Sequence, residues 1–136
     1  APFVVDRLGE KRAREGAYPR RSLLDAGVLI ANGTDAPVED VDPLESFYAS
    51  VTRKRADTGI EFFTEQKMTR EEGLYSYTLG NACAGFEEKN KGSLEKGKLA
   101  DVTVLTKDLR DCDDMEILEA EVIYTIVGGE VKFEKL

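Results

Sequence analysis

Four consecutive apolar residues, Val28-Leu29-Ile30-Ala31, stand between Gly27 and the turn-forming pair Asn32-Gly33, and they constrain the fold more than any other feature. A strand with one wet face alternates apolar and polar side chains, whereas a strand buried on both faces of a parallel sheet reads as an unbroken apolar run. Arg21 to Ala26 reads as a short helix leading into it, with Gly27 at the position that commonly ends one. Such a strand exposes unpaired backbone and apolar surface unless neighbours cover it. The segment therefore requires the rest of a larger sheet, another chain, or a rearranged fold.

The strand, expected over about 28–33, runs into Asn32-Gly33-Thr34-Asp35-Ala36-Pro37, a polar stretch at the strand end where α/β folds bind ligands. Asp42-Pro43-Leu44-Glu45 starts a helix: Asp caps, Pro fits the first turn, and Glu45 is spaced to reach back. Phe47, Tyr48 and Val51 carry that helix to about residue 55. Thr69-Arg70-Glu71-Glu72 has capping-box spacing and opens a second helix over about 70–84, with Leu74, Tyr77, Thr78 and Ala82 along one side. Gly73 is a weak point there, costing up to about 1 kcal/mol against alanine. Between the two helices, Thr58-Gly59 and the pair Phe62-Phe63 predict a loop packed by its rings.

Near the start, Asp6 to Glu15 is charged and helix-permissive, with Gly16 closing it and Tyr18-Pro19 resetting the backbone. After Gly85 the chain turns β-rich: Val102 to Leu105 and Val122 to Val127 read as strands, and Gly128-Gly129 connects the latter to Val131-Lys132-Phe133 as a hairpin. The expected division is 1–88, α/β in character, and 89–136, a small β domain.

Composition excludes several functions. A net charge of −8 with no basic stripe argues against nucleic acid, and the basic residues Lys11, Arg12 and Arg14 read as a solvated helix face. No apolar run approaches the ~18 residues of a membrane span, and a cytoplasmic location is the default expectation. The start Ala1-Pro2-Phe3-Val4-Val5 lacks the basic region of a signal peptide and fits a processed or cut chain. Cys83, flanked by alanines, reads as a small core residue; Cys112, among aspartates, is unsuited as a nucleophile. The complete absence of histidine removes His-dependent triads and His-ligated zinc from this polypeptide.

Several stretches, in this order, resemble the amidohydrolase superfamily and most closely amidohydrolase family 3. They are Tyr18 to Gly27, Gly33 to Glu39, Asp42-Pro43-Leu44, Glu65-Gln66, Thr69 to Glu72, Gly92 to Asp101 and Thr125 to Gly129. Each is weak alone; together they span the chain from about Leu8 to Phe133. The resemblance implies the C-terminal end of a (β/α)8 metal-dependent hydrolase barrel, its last strand and helices, followed by a small composite β-sandwich domain, with the barrel incomplete in this chain.

It further implies that Asp35 matches the aspartate ending the eighth strand, a ligand of the catalytic divalent metal, zinc foremost, and the group that takes the proton from the attacking water. On residues alone, Asp35 reads as a turn or cap residue, since Asp before Ala-Pro is common in loops. Arg21 matches a basic position near the barrel mouth and is a candidate substrate-binding residue, against the alternative of a helix-surface pair with Asp25. Tyr18 reads as pocket wall or, preferentially, core ring. Asp101 is expected to bond backbone N–H groups rather than a metal. The family's other ligands, largely histidines, cannot come from this chain.

The function so implied is hydrolysis of carbon–nitrogen bonds in small non-peptide amides by a full-length enzyme, with this chain alone inactive. The remainder of the barrel, or another copy of the chain, is the expected partner. The alternative is a free-standing, non-catalytic domain of amidohydrolase descent, with self-association through the orphan strand as one arrangement open to it. The hydrolase reading makes two demands on the fold: a strand at Val28 to Ala31 and an Asp35 that faces a cavity.

Overall fold

The computed structural model describes residues 3–136; Ala1 and Pro2, where the reading of the N-terminus as a cut or processed chain falls, lie outside the described residues. Helices occupy the first two thirds and an antiparallel sheet the last third. Helix α1 is Val4–Leu8, α2 Glu10–Gly16, α3 Arg20–Asp25, α4 Pro43–Thr52, α5 Arg70–Tyr77 and α6 Leu79–Ala84. Gly9, at φ 75°, splits the expected charged helix in two, a backbone conformation glycine adopts without Cβ penalty. The helix expected over about 70–84 is likewise two helices, broken at Thr78 (φ −120°, ψ −94°).

Helix starts follow the local chemistry. Asp42 Oδ1 accepts from Leu44 N at 2.9 Å with Pro43 in the first turn, but the reach-back is made by Asp40, which accepts from Asp42 N at 3.0 Å, and not by Glu45. Thr69 and Glu72 form the full capping box of α5. The expected extent of α4 to about residue 55 is shortened: Arg53 takes a left-handed conformation, φ 60°, and ends it at Thr52.

Strands β1 (Val102–Leu105), β2 (Val122–Val127) and β3 (Glu130–Glu134) pair antiparallel in the order β1-β2-β3. Gly128 and Gly129, at φ 60° and 81°, make the two-residue turn between β2 and β3, where positive φ at both positions matches the strand twist. Asp101 Oδ1 accepts from Gly128 N at 2.8 Å and ties the start of β1 to that turn, as its reading as a backbone-binding residue expects.

The expected strand over about 28–33 is not formed. Among the described residues no neighbour pairs with it, and its recorded backbone bonds run to helices: Val28 N donates to Leu23 O at 2.9 Å and Asn32 N to Ser76 O at 3.0 Å. A ladder needs a second strand, and without one Val28 and Leu29 each stay 45% exposed. The segment instead lies against α6, so close that a Cβ on Gly80 would sit 2.5 Å from Ile30 O.

The core is built from α4 and the segment after β1. Phe47, Tyr48 and Val51 pack with Leu109, Ile117 and Ala120, joined at the margin by Leu74, Tyr77 and Leu105. It therefore crosses residues 88/89. Arg70 reinforces the crossing, its guanidinium donating to Leu109 O at 2.9 Å and to Asp114 Oδ1 at 2.6 Å. Among the described residues no helix is long and apolar enough to cross a membrane.

Candidate functional site

Asn32 pins the segment that carries the candidate ligand. Its Nδ2 donates to Ser50 Oγ on α4 at 2.9 Å, its backbone N–H goes to Ser76 O on α5, and its carbonyl accepts from Asn81 Nδ2 on α6 at 3.0 Å. One residue thus fastens the stretch to three helices. From sequence Asn32 reads only as half of a turn-forming pair; in the fold its side chain bonds a buried serine, Ser50 being 1% exposed.

From this anchor the chain turns at Thr34 to Glu39. Thr34 Oγ1 accepts from Ala36 N at 3.3 Å, and Asp35 O accepts from Val38 N at 2.9 Å. Asp35 itself sits at φ 64°, a left-handed conformation in which aspartate is tolerated better than most residues but which still carries strain. Its side chain is exposed and makes no hydrogen bond or ion pair among the described residues. The carboxylate is thus presented by the turn without stabilising it. Among the described residues, Asp35 does not line any of four clefts that open beside α3, α4 and α5.

Arg21 is held at both ends of its guanidinium. Nη1 and Nη2 donate to Glu72 Oε2 and Oε1 at 2.8 and 2.7 Å, and Nε donates to Asp25 Oδ1 at 2.9 Å. The i+4 pair with Asp25 is present, and the fork-on-fork bond to Glu72 ties α3 to the first turn of α5. Glu72 also accepts from Thr69 N at 2.8 Å, so one carboxylate caps a helix and clamps a neighbour. The Arg21 bond, ahead of the cap, holds the Glu72 carboxyl below the ordinary glutamate range.

Tyr18, expected preferentially as a core ring, is instead 48% exposed and packs edge-on against Phe62, centroids 6.2 Å apart. Its φ of 53° follows from the turn before Pro19 and swings the ring outward from α3. Phe62 and Phe63 fill their loop as expected, 4.3 Å apart. Cys83 and Cys112 are both free and half-buried.

Among the described residues, no three His, Cys, Asp or Glu side chains converge where a metal ion fits. Asp35 is one donor, and one carboxylate without prearranged companions holds a divalent cation weakly. The residues present do not by themselves make a metal centre.

The architecture, helices ending in a small sheet, is similar to that of solved metal-dependent hydrolases. An amidohydrolase from Thermotoga maritima superposes with a TM-score of 0.65 at 24% identity, over 87% of this chain and 26% of that one. An uncharacterized metal-dependent hydrolase from Pyrococcus furiosus matches with a TM-score of 0.56 at 34% identity, over 71% of this chain and 19% of that one. A mutant of the atrazine chlorohydrolase TrzN from Arthrobacter aurescens, complexed with zinc and atraton, gives 0.56 at 23% identity, over 85% and 27%.

The amidohydrolase family model matches residues 1–133, and the chain belongs to that family. It is 34% identical over 136 residues to the putative amidohydrolase YtcJ of Bacillus subtilis, covering 98% of this chain and 26% of that protein. It is 33% identical over 127 residues to the N-substituted formamide deformylase of Arthrobacter pascens, covering 93% and 23%. The chain thus spans about a quarter of the length of these curated relatives.

Proposed function

We propose that this chain is the C-terminal part of a metal-dependent hydrolase that cleaves carbon–nitrogen bonds of small non-peptide amides, formamides among them. In this reading residues 1–88 complete a (β/α)8 barrel, with 28–33 taking up its strand once neighbours are present. Residues 89–136 form part of the composite β-sandwich. Asp35 supplies one carboxylate to a divalent cation, zinc foremost, and holds the proton removed from the attacking water. A bound cation of this kind would acidify water and polarise a carbonyl oxygen. The remainder of the barrel supplies the other ligands, and the chain alone is inactive.

The observation that carries the reading is the family match over residues 1–133. The Asp35 turn, a carboxylate in a left-handed backbone, unbonded, on a segment fastened to three helices by Asn32, is compatible with it, although Asp35 lines none of the four clefts. A strained residue that contributes no contact of its own points to use by something outside the turn. The family match, and the formamide deformylase among the relatives, supports the choice of reaction. Arg21, its fork closed on Glu72, serves here to position α3 on α5; a substrate contact requires that pair to open.

The test is metal content and hydrolysis of N-substituted formamides by the full-length gene product and its D35A variant. About stoichiometric metal, lost together with activity in D35A, is expected. A full-length product without metal, or a D35A variant with undiminished turnover, overturns the proposal. A second reading, a free-standing non-catalytic domain, draws support from the core, which this chain builds from its own residues. A reading frame that opens immediately before Ala1 would select it.

A further inference from the structure

A small cavity of about 170 Å³ lies between the start of α3 and the loop after α4, walled by Tyr18, Phe62 and Ile60. Its floor is cationic. Arg53, at the left-handed end of α4, is only 6% exposed. Its Nε donates to Phe62 O at 3.0 Å, while Nη2 is sealed from solvent with no acceptor among the described residues. The guanidinium carbon lies 5.4 Å from the Phe62 ring centre and 5.9 Å from that of Tyr18. Arg20, half-buried on the same cavity, makes no side-chain hydrogen bond or ion pair among the described residues.

Charge accounting sharpens the point. The other cations on the rim are matched: Lys54 pairs with Glu61 at 3.1 Å and Arg55 with Asp57 at 2.5 Å. Glu65, the carboxylate whose field reaches Arg53, is committed to Arg14 at 2.7 Å. Burial lowers the pKa of both Arg53 and Arg20, and Arg20's charge lowers that of Arg53 further. With 27 acidic residues against 19 basic ones, acids are in excess, yet these two guanidiniums are left without one. A buried cation without an anionic partner is costly, and composition does not account for it.

We infer that this cavity binds an oxyanion, a carboxylate or a phosphate, carried on a small flat apolar group. The planar Arg20 guanidinium on the cavity matches such oxygens in paired hydrogen bonds, the buried Arg53 adds positive charge beside it, and the aromatic walls suit a flat body. The site shares no residue with the Asp35 turn.

The test is titration of the chain with benzoate, phenyl phosphate, inorganic phosphate and neutral benzamide at constant ionic strength. Affinity is read by ligand-observed NMR and site by ring-proton shifts of Tyr18 and Phe62. Saturable binding of benzoate or phenyl phosphate, about tenfold or more tighter than benzamide, is expected, on the scale of one charge-assisted hydrogen bond. Benzoate alone identifies a carboxylate site; phenyl phosphate with inorganic phosphate identifies a phosphate site. Because R53M removes a buried side chain and can unfold the chain, R20M is the decisive variant, expected to weaken binding about tenfold with Tm preserved. Absence of saturable binding, benzamide binding as tightly as benzoate, or unchanged affinity in R20M overturns the inference.

Discussion

Gly80→Ala tests whether the 28–35 segment is placed by contact with α6. The added methyl would lie 2.5 Å from Ile30 O and 3.0 Å from Tyr75 O, both backbone atoms, where ordinary contact begins at 3.4 Å. Backbone cannot rotate aside as a side chain can, so the segment must retreat by roughly 1 Å and strain the Asn32 N to Ser76 O bond. Overpacking of this kind costs about 2–3 kcal/mol. Better helix propensity returns up to about 1 kcal/mol. The net loss is about 1–2 kcal/mol, or roughly five- to thirtyfold in the folding constant. Urea unfolding measures it, and hydrogen exchange at Asn32 should quicken in step. Gly33→Ala is the control: it lies in the same segment, meets nothing within 4 Å and has no left-handed φ, so a change within about 0.5 kcal/mol is expected. A G80A protein as stable as wild type, or a G33A protein equally weakened, refutes the placement.

Gly73→Ala should also destabilise, by about 1 kcal/mol in urea, because its methyl would lie 2.8 Å from both the Phe47 ring and Val51; a gain in stability would show that the core yields. Asp35→Gly should leave stability unchanged or raise it by up to about 1 kcal/mol, since glycine relieves the left-handed strain and no side-chain bond is lost; a loss above that in thermal unfolding would show hidden contacts. Asn32→Ala should cost about 1 kcal/mol by removing the bond of the Asn32 amide to Ser50 Oγ, which keeps its own bond to Ser46 O, read by the same unfolding. Glu72 titrates below its ordinary value of 4.5, so its contribution is present above that pH and disappears as pH falls through the lowered folded value. Wild type and E72Q should therefore converge in stability below pH 4.5, and parallel curves would refute the Arg21 clamp.

Where local chemistry decides, residue types carried the fold into view. Thr69 and Glu72 announced their capping box, Asp42-Pro43 its helix start, and Gly128-Gly129 the hairpin, because each is completed within a few residues. The apolar run at Val28 foretold neither its form nor its burial in this chain, since a strand is a relation between two segments and, with no second segment beside it among the described residues, Val28 and Leu29 stay 45% exposed. Making that strand, and a cavity at Asp35, conditions of the family was therefore too strict: neither is met among the described residues, and the family match over residues 1–133 identifies the family independently of both. Asp35 was legible through motif alone; its left-handed backbone had no signal in the sequence. The anchoring role of Asn32 and the tight fit at Gly73 and Gly80 arise from helices meeting across the fold, which spacing along the chain does not encode. Arg53 was hidden for the same reason: it ends a helix that pattern alone extends three residues further.

The hydrophobic cluster joining Phe47 to Ile117 and Ala120 also bears on how such a polypeptide could be dismantled. A protease cut in the exposed turns near Lys89 would leave both products with half a nucleus, so they should stay associated or precipitate rather than separate as independent modules. Exchange of the terminal sheet between relatives would have to carry the turn around Ile117 with it, because that turn, and not the strands, is what the helices grip.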